Sequence, residues 1–283
     1  GRVPDDPCRC HAAVVAESQA IPERHLWART LEADAGDTIA LQRGIVQGIA
    51  REIAGVLAPE ATPRPAAGVA ASAAALEKFL KARHSMQRWT ADGFRTGIAL
   101  LSEAVALDPT YAAARASLAE IFAMLGFWGH LPISAAFPRA KELALEAIRL
   151  DEASSVAHKA LAGALWLLDW DVAGAERELE RSVTLNPNDV DALIHRGIFR
   201  AVARRDRHGA EDDALQALKI DPLGVYTLTW ATWIFVFVRQ FDKAAELANR
   251  ALGLFPDSVQ PLWALGVVHQ AQGRPSEARE AWE

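Results

Sequence analysis

Two cysteines, Cys8 and Cys10, are all that this 283-residue chain contains. They are too few and too close for a disulfide framework, which fits a reducing compartment and gives the cytoplasm as the expected location. Basic residues are also in deficit: 30 Lys and Arg stand against 36 Asp and Glu, a net charge of −6. Nucleic-acid binders track phosphates with clustered Lys and Arg, so no DNA or RNA contact is expected. A basic-then-apolar leader is missing. The segment most easily mistaken for a membrane span is Pro222 to Val238, uncharged throughout. It falls short of the roughly 20 residues needed to cross about 30 Å of hydrocarbon, and it reads as a helix buried on all sides.

Catalytic signatures are missing as well. No glycine-rich phosphate loop, no G-x-S-x-G and no H-E-x-x-H occurs. The nearest two of the eight histidines are His195 and His208, too far apart for a helical metal site. Cys8, Cys10 and His11 gather soft ligands, but a zinc site needs a fourth ligand and usually wider cysteine spacing, so no metal is assigned. Asp169 and Asp171, flanking Trp170, place two carboxylates together; they read as caps for the following helix rather than an acid pair. No catalytic residue, cofactor or metal is therefore expected, and the segment is read as a non-enzyme. It starts without Met and stops inside a helical pattern, so it reads as a piece of a longer protein whose other domains could carry catalysis.

What is present is repetition. "AVALDPTY", "AIRLDEAS", "SVTLNPND", "ALKIDPLG" and "ALGLFPDS" recur, and their frame positions Pro109, Glu152, Pro187, Pro222 and Pro256 are separated by 43, 35, 35 and 34 residues. A period near 34 signals stacked helical hairpins. Proline lacks the amide hydrogen and forces its predecessor out of helical geometry, so each phrase stops one helix and starts the next. Twelve residues before each mark stand Gly97, Ala140, Ala175, Ala210 and Ala244; five before stand Ala104, Ala147, Ser182, Ala217 and Ala251. All are small, as helix crossings require. The larger spacing marks an insertion over 127–137, "FWGHLPISAAF", expected as a longer surface loop.

This grammar resembles the tetratricopeptide repeat over residues 69–283, with five full units and a truncated sixth. The resemblance implies a mainly α fold, a right-handed α-solenoid of helical hairpins. Before it, "CHAAVVAES" (10–18) and "HLWARTLE" (25–32) suit a two-stranded hairpin, followed by a helix over 38–57 capped by Asp37 and a Pro-rich linker over 58–68. The succession "HLWARTLEADAGDTIALQRGIVQGIAREI" resembles the end of a TolB-amino-terminal-like α/β domain, which sets a partial α/β segment at 1–57. That resemblance implies a bacterial multidomain regulator, of the kinds carrying a class III adenylate cyclase, a winged-helix DNA-binding domain or a Ser/Thr kinase upstream.

In such arrays the first helices line a concave face, at repeat positions two, five, nine and twelve. The frame places Glu120, Lys159, Trp166, Tyr226, Thr229, Trp233, Trp263 and Gln270 there, as a groove for a protein or peptide segment, or as filling between helices. Trp230 is expected in the core. Arg196, Arg200 and Arg204 form a stripe that either clamps an acidic peptide tail or is balanced by Glu176, Glu178 and Glu180. Self-association into an oligomer that spaces attached catalytic domains is the alternative function.

Overall fold

The computed structural model describes residues 8–18, 21–33, 72–86, 90–256 and 258–283, the two early stretches by backbone alone. The expected Asp37 cap, the helix over 38–57 and the linker over 58–68 lie outside the described residues. Strands β1 (Cys8–Ser18) and β2 (Ile21–Ala33) form an antiparallel hairpin with Ser18 opposite Ile21. Strand β2 begins earlier than the expected His25, and Pro22 is accommodated because it falls at the register irregularity opposite Ala16 to Ser18.

Helices follow from residue 73 onward: α1 (Ala73–Met86), α2 (Ala91–Leu107), α3 (Ala112–Phe127), α4 (Ile133–Leu150), α5 (Ser155–Leu167) and α6 (Val172–Leu185). Then come α7 (Val190–Phe199), prolonged by a π-helical turn Arg200–Arg204, α8 (Arg207–Ile220), α9 (Val225–Phe237), α10 (Phe241–Leu254), α11 (Val259–Ala271) and α12 (Pro275–Trp282). The repeated phrases act as stops and starts. Helices α2, α6, α8 and α10 end at Leu107, Leu185, Ile220 and Leu254, just ahead of Pro109, Pro187, Pro222 and Pro256. Starts are capped by short polar side chains: Asp171, Asp189 and Asp206 accept from the amides of Gly174 (2.8 Å), Asp191 (3.1 Å) and Gly209 (3.0 Å). Asp171 of the "DWD" pair is thus a cap, and Asp169 pairs with Lys141 at 2.6 Å.

The chain divides into two compact units. In the first, α1 packs on α2, where a Cβ on Gly97 would stand 2.9 Å from Met86 Cγ. Tyr111 lies on Phe79 with ring centroids 5.2 Å apart, and burial, reinforced by the Asp108 charge, pushes its hydroxyl up to about 12. The second unit comprises residues 122–145 and 154–283. In it the first helices α5, α7, α9 and α11 touch in succession, and each packs against its own second helix. The small residues fall where the frame sets them: Ala140, Ala175, Ala210, Ala244, Ala104, Ala147, Ser182, Ala217 and Ala251 are all 0% exposed. Ser182 stands where its counterparts are alanines, and its hydroxyl is satisfied by donating to the Ser155 carbonyl at 2.8 Å.

The insertion is not the long loop expected. Helix α3 runs on to Phe127 and α4 starts at Ile133, with Pro132 O accepting from the amides of Ala135 and Ala136 at 2.9 Å. The added residues lengthen α4 because Phe137, 1% exposed, fills the space over Gly126 and Gly163. Between the two helices of the last four pairs stand Trp170, Arg205, Arg239 and Gly273, all left-handed, at φ 58, 54, 64 and 75°. Glycine carries that conformation without a Cβ clash; the other three do not. No helix of the described residues is long and apolar enough to cross a membrane.

Candidate partner-binding face

Helix α9 begins the site. Tyr226, Thr229, Trp230 and Trp233 recur at steps of three and four, so they share one side of it. Tyr226 donates its hydroxyl to Asp191 on α7, whose other carboxylate oxygen pairs with the Lys159 ammonium on α5. Lys159 is only 5% exposed. His195, one turn along α7, has Nδ1 2.8 Å from the Asp191 carbonyl oxygen and 3.4 Å from Oδ1. One carboxylate thus ties three consecutive first helices together. Burial opposes its ionisation, but Lys159, with His195, holds the Asp191 carboxyl well below the usual carboxylate range. Burial likewise opposes charge on His195, and Asp191 outweighs it, so the imidazole stays protonated to higher pH than an ordinary histidine.

Aromatic rings occupy the rest of the face. Trp230, expected in the core, is half-buried: Trp128 meets it at 5.5 Å, Phe127 at 6.0 Å and Tyr226 at 6.2 Å between centroids. Phe127 and Trp128 close α3, so this cluster reaches past the helix pairs of α5 and α7 to α9. First helices stack about 8–10 Å apart, too far for a straight row to allow such contact. The extended end of α3 therefore carries Phe127 and Trp128 across to Trp230. Farther along, Trp233 meets Trp263 of α11 at 4.7 Å and Phe237 at 5.8 Å. Trp263 is 45% exposed. Trp166 stands edge-on to Phe199 at 5.4 Å and packs between two core clusters.

Two polar atoms on α9, Thr229 Oγ1 and Trp233 Nε1, are buried without a hydrogen-bond partner among the described residues. Glu120 is half-buried on α3 and belongs to the first compact unit; Gln270 is exposed on α11. The frame thus brings Lys159 and Tyr226 onto one carboxylate and Trp233 onto Trp263. It passed over Asp191, which holds in its own unit the place Tyr226 holds in the next, and over His195.

Arg196 and Arg200, read from the sequence either as a clamp for an acidic tail or as a face balanced by acids, are paired internally. Arg196 Nη2 and Arg200 Nη1 reach Asp213 on α8 at 2.6 and 2.9 Å, and both side chains reach Glu180 on α6 at 2.8 and 2.6 Å. Asp213 is 2% exposed. Burial holds its carboxyl above the usual range although both guanidinium groups pull it down. The balancing acids named in the sequence do the pairing: Glu180 as above, and Glu176 with Arg204 at 3.2 Å, while Glu178 meets His158 at 2.5 Å. A shallow pocket of about 540 Å³ lies over this network, lined by Arg196, Arg200, Asp213 and Lys219.

No family model matches the chain, and no curated protein matches it. Solved structures do. PilW, a widely conserved type IV pilus biogenesis factor, is 17% identical over 75% of this chain and 91% of its own, with a TM-score of 0.55. TTC0263, a thermophilic tetratricopeptide-repeat protein of Thermus thermophilus, is 16% identical over 73% of this chain and all of its own, also at 0.55. Pseudomonas aeruginosa PilF is 15% identical over 74% of this chain and 88% of its own, at 0.50. At such identities the likeness speaks for the fold, and the chain has the mainly α architecture of a tetratricopeptide-type solenoid.

Proposed function

We propose that this chain is a non-catalytic protein-interaction module that holds a partner segment against the face formed by α5, α7, α9 and α11. The observation that carries this reading is one side of α9, where two tryptophans, a tyrosine and two polar atoms without a partner among the described residues share one stripe. A stripe serving only to fill space between helices has no use for buried donors left unmade. Aromatic side chains supply large contact area at low entropic cost, as binding hot spots do. The resemblance of the amino-terminal sequence to a TolB-amino-terminal-like domain supports the larger role, a regulatory part of a bacterial signalling or transcription protein acting in the cytoplasm.

The test is a displayed random peptide library panned against the purified chain. Selected peptides should lose binding at least tenfold to Trp233→Ala combined with Trp263→Ala; undiminished binding by that double variant refutes the groove. A second reading, an oligomerisation scaffold, is favoured by exposed apolar side chains on α11 and α12: Val259 at 75%, Trp282 at 49% and Leu262 at 36%. Light scattering separates the two, since a monomer at every concentration removes the scaffold.

A further inference from the structure

The face of α9 carries more information than that a partner binds; resting on the reading above, it specifies the partner's chemistry. Trp233 Nε1 is a pure donor and Thr229 Oγ1 can donate. Both are buried without a partner among the described residues, and Thr229 is 5% exposed. The two residues stand one turn apart on α9, about 6 Å along the axis. In an extended chain, carbonyls pointing the same way recur every second residue, about 6.6 Å. The rise between the two residues is thus close to the repeat of alternate peptide carbonyls.

Charge complementarity narrows the occupant further. Helix α9 has no charged residue. The charges nearest its amino-terminal half are already matched, Lys159 with Asp191 and the two arginines with Asp213 and Glu180. A strongly charged segment would find no counter-charge on α9 itself. An uncharged one meets two donors and an aromatic wall. Trp263, in contact with Trp233 and 45% exposed, is the solvent-reaching ring beside this turn.

We propose that the Thr229–Trp233 turn of α9 is a main-chain recognition subsite for an extended, uncharged peptide segment. Alternate carbonyls of the segment accept hydrogen bonds from Thr229 Oγ1 and Trp233 Nε1 once the Trp263 ring moves off, and an apolar side chain of the segment packs against that ring.

The test uses Trp233→Phe and Thr229→Val in the full chain, which delete the polar atoms and keep most of the volume. The probe is the tightest library-selected peptide, synthesised acetylated and amidated, with a second version in which single backbone amides are replaced by esters. Each variant should bind the peptide at least fivefold more weakly. Replacing two amides two residues apart should weaken binding to the parent chain but not to the double variant. Without peptide, each variant should melt no lower than the parent, and by up to about 2 °C higher, because an unmet buried polar group has been removed. A clear fall in Tm shows that these atoms already bond a buried water or another group, and overturns the subsite. Peptides that need Tyr226 and Trp263 yet ignore both variants overturn the subsite while leaving the groove standing. Selected peptides rich in Asp, Glu, Lys or Arg, or association of the chain only with itself, overturn the uncharged occupant, and a library that yields no binder overturns both proposals.

Discussion

Replacing Asp213 with alanine tests the ion network at its most enclosed point. Its carboxylate takes three bonds from Arg196, at 3.2, 3.1 and 2.6 Å, and one from Arg200 at 2.9 Å. The side chain of Arg196 is 14% exposed and that of Arg200 22%, so neither recovers full hydration when the acid is lost. Removing one member of a buried pair costs about 3–5 kcal/mol, against about 0–1 kcal/mol for a surface pair. Glu180 is 45% exposed and still holds both guanidinium groups, which sets the expectation at the lower end, about 3 kcal/mol. At roughly 2–4 °C per kcal/mol the melting temperature should fall by about 6–12 °C. Urea unfolding followed by circular dichroism measures the loss as a lower midpoint at unchanged slope, with any separate transition of the first unit fitted on its own. Exchanging Asp213 for Leu and Arg196 for Met together should recover most of the loss, since apolar replacement of a buried pair is commonly neutral. A loss under about 1 kcal/mol for Asp213→Ala would refute the reasoning and class the network with solvated surface pairs.

Three further outcomes are expected. Arg205→Gly should stabilise the chain by about 0.5–1 kcal/mol, the left-handed penalty less the added entropy of the unfolded glycine, and no gain in urea midpoint would show the turn to be unstrained. Gly197→Ala should cost about 1–3 kcal/mol, because its Cβ would meet the fully buried Ile234 Cδ1 at 2.8 Å; Gly266→Ala should cost less, since the ring it meets is the half-exposed Trp282. By NMR, His195 should titrate above the ordinary 6.5 and return towards it in Asp191→Asn. With its folded pKa raised, the stabilisation it brings is full below 6.5 and fades as pH rises through the folded value, so the parent should lose stability across that window and Asp191→Asn should not.

Much of the fold was legible because the period is written in residue size. Proline and alanine act locally, through a missing amide hydrogen and a missing side chain, so Pro187 and Ala175 declare their roles without reference to anything distant. The groove was harder. Tyr226 and Lys159 could be set on one face by counting, but their meeting at Asp191 depends on three helices from three repeats, and no period reports it. The arginine stripe shows the same limit: its spacing gives a face, while the acid that claims it, Asp213, sits on the partner helix at a position that the proline frame does not mark. The insertion was misjudged for a related reason, since Phe137 makes helix worthwhile only by filling space above Gly126 and Gly163.

A stack of repeats ordinarily behaves as a chain of dominoes, each felt only by the next. The Phe127–Trp128–Trp230 cluster closes a circuit in that chain by joining the end of α3 directly to α9. Fraying that starts at α3 must therefore break a bond to the middle of the stack, and amide exchange in the last turn of α3 should rise and fall together with that around Trp230.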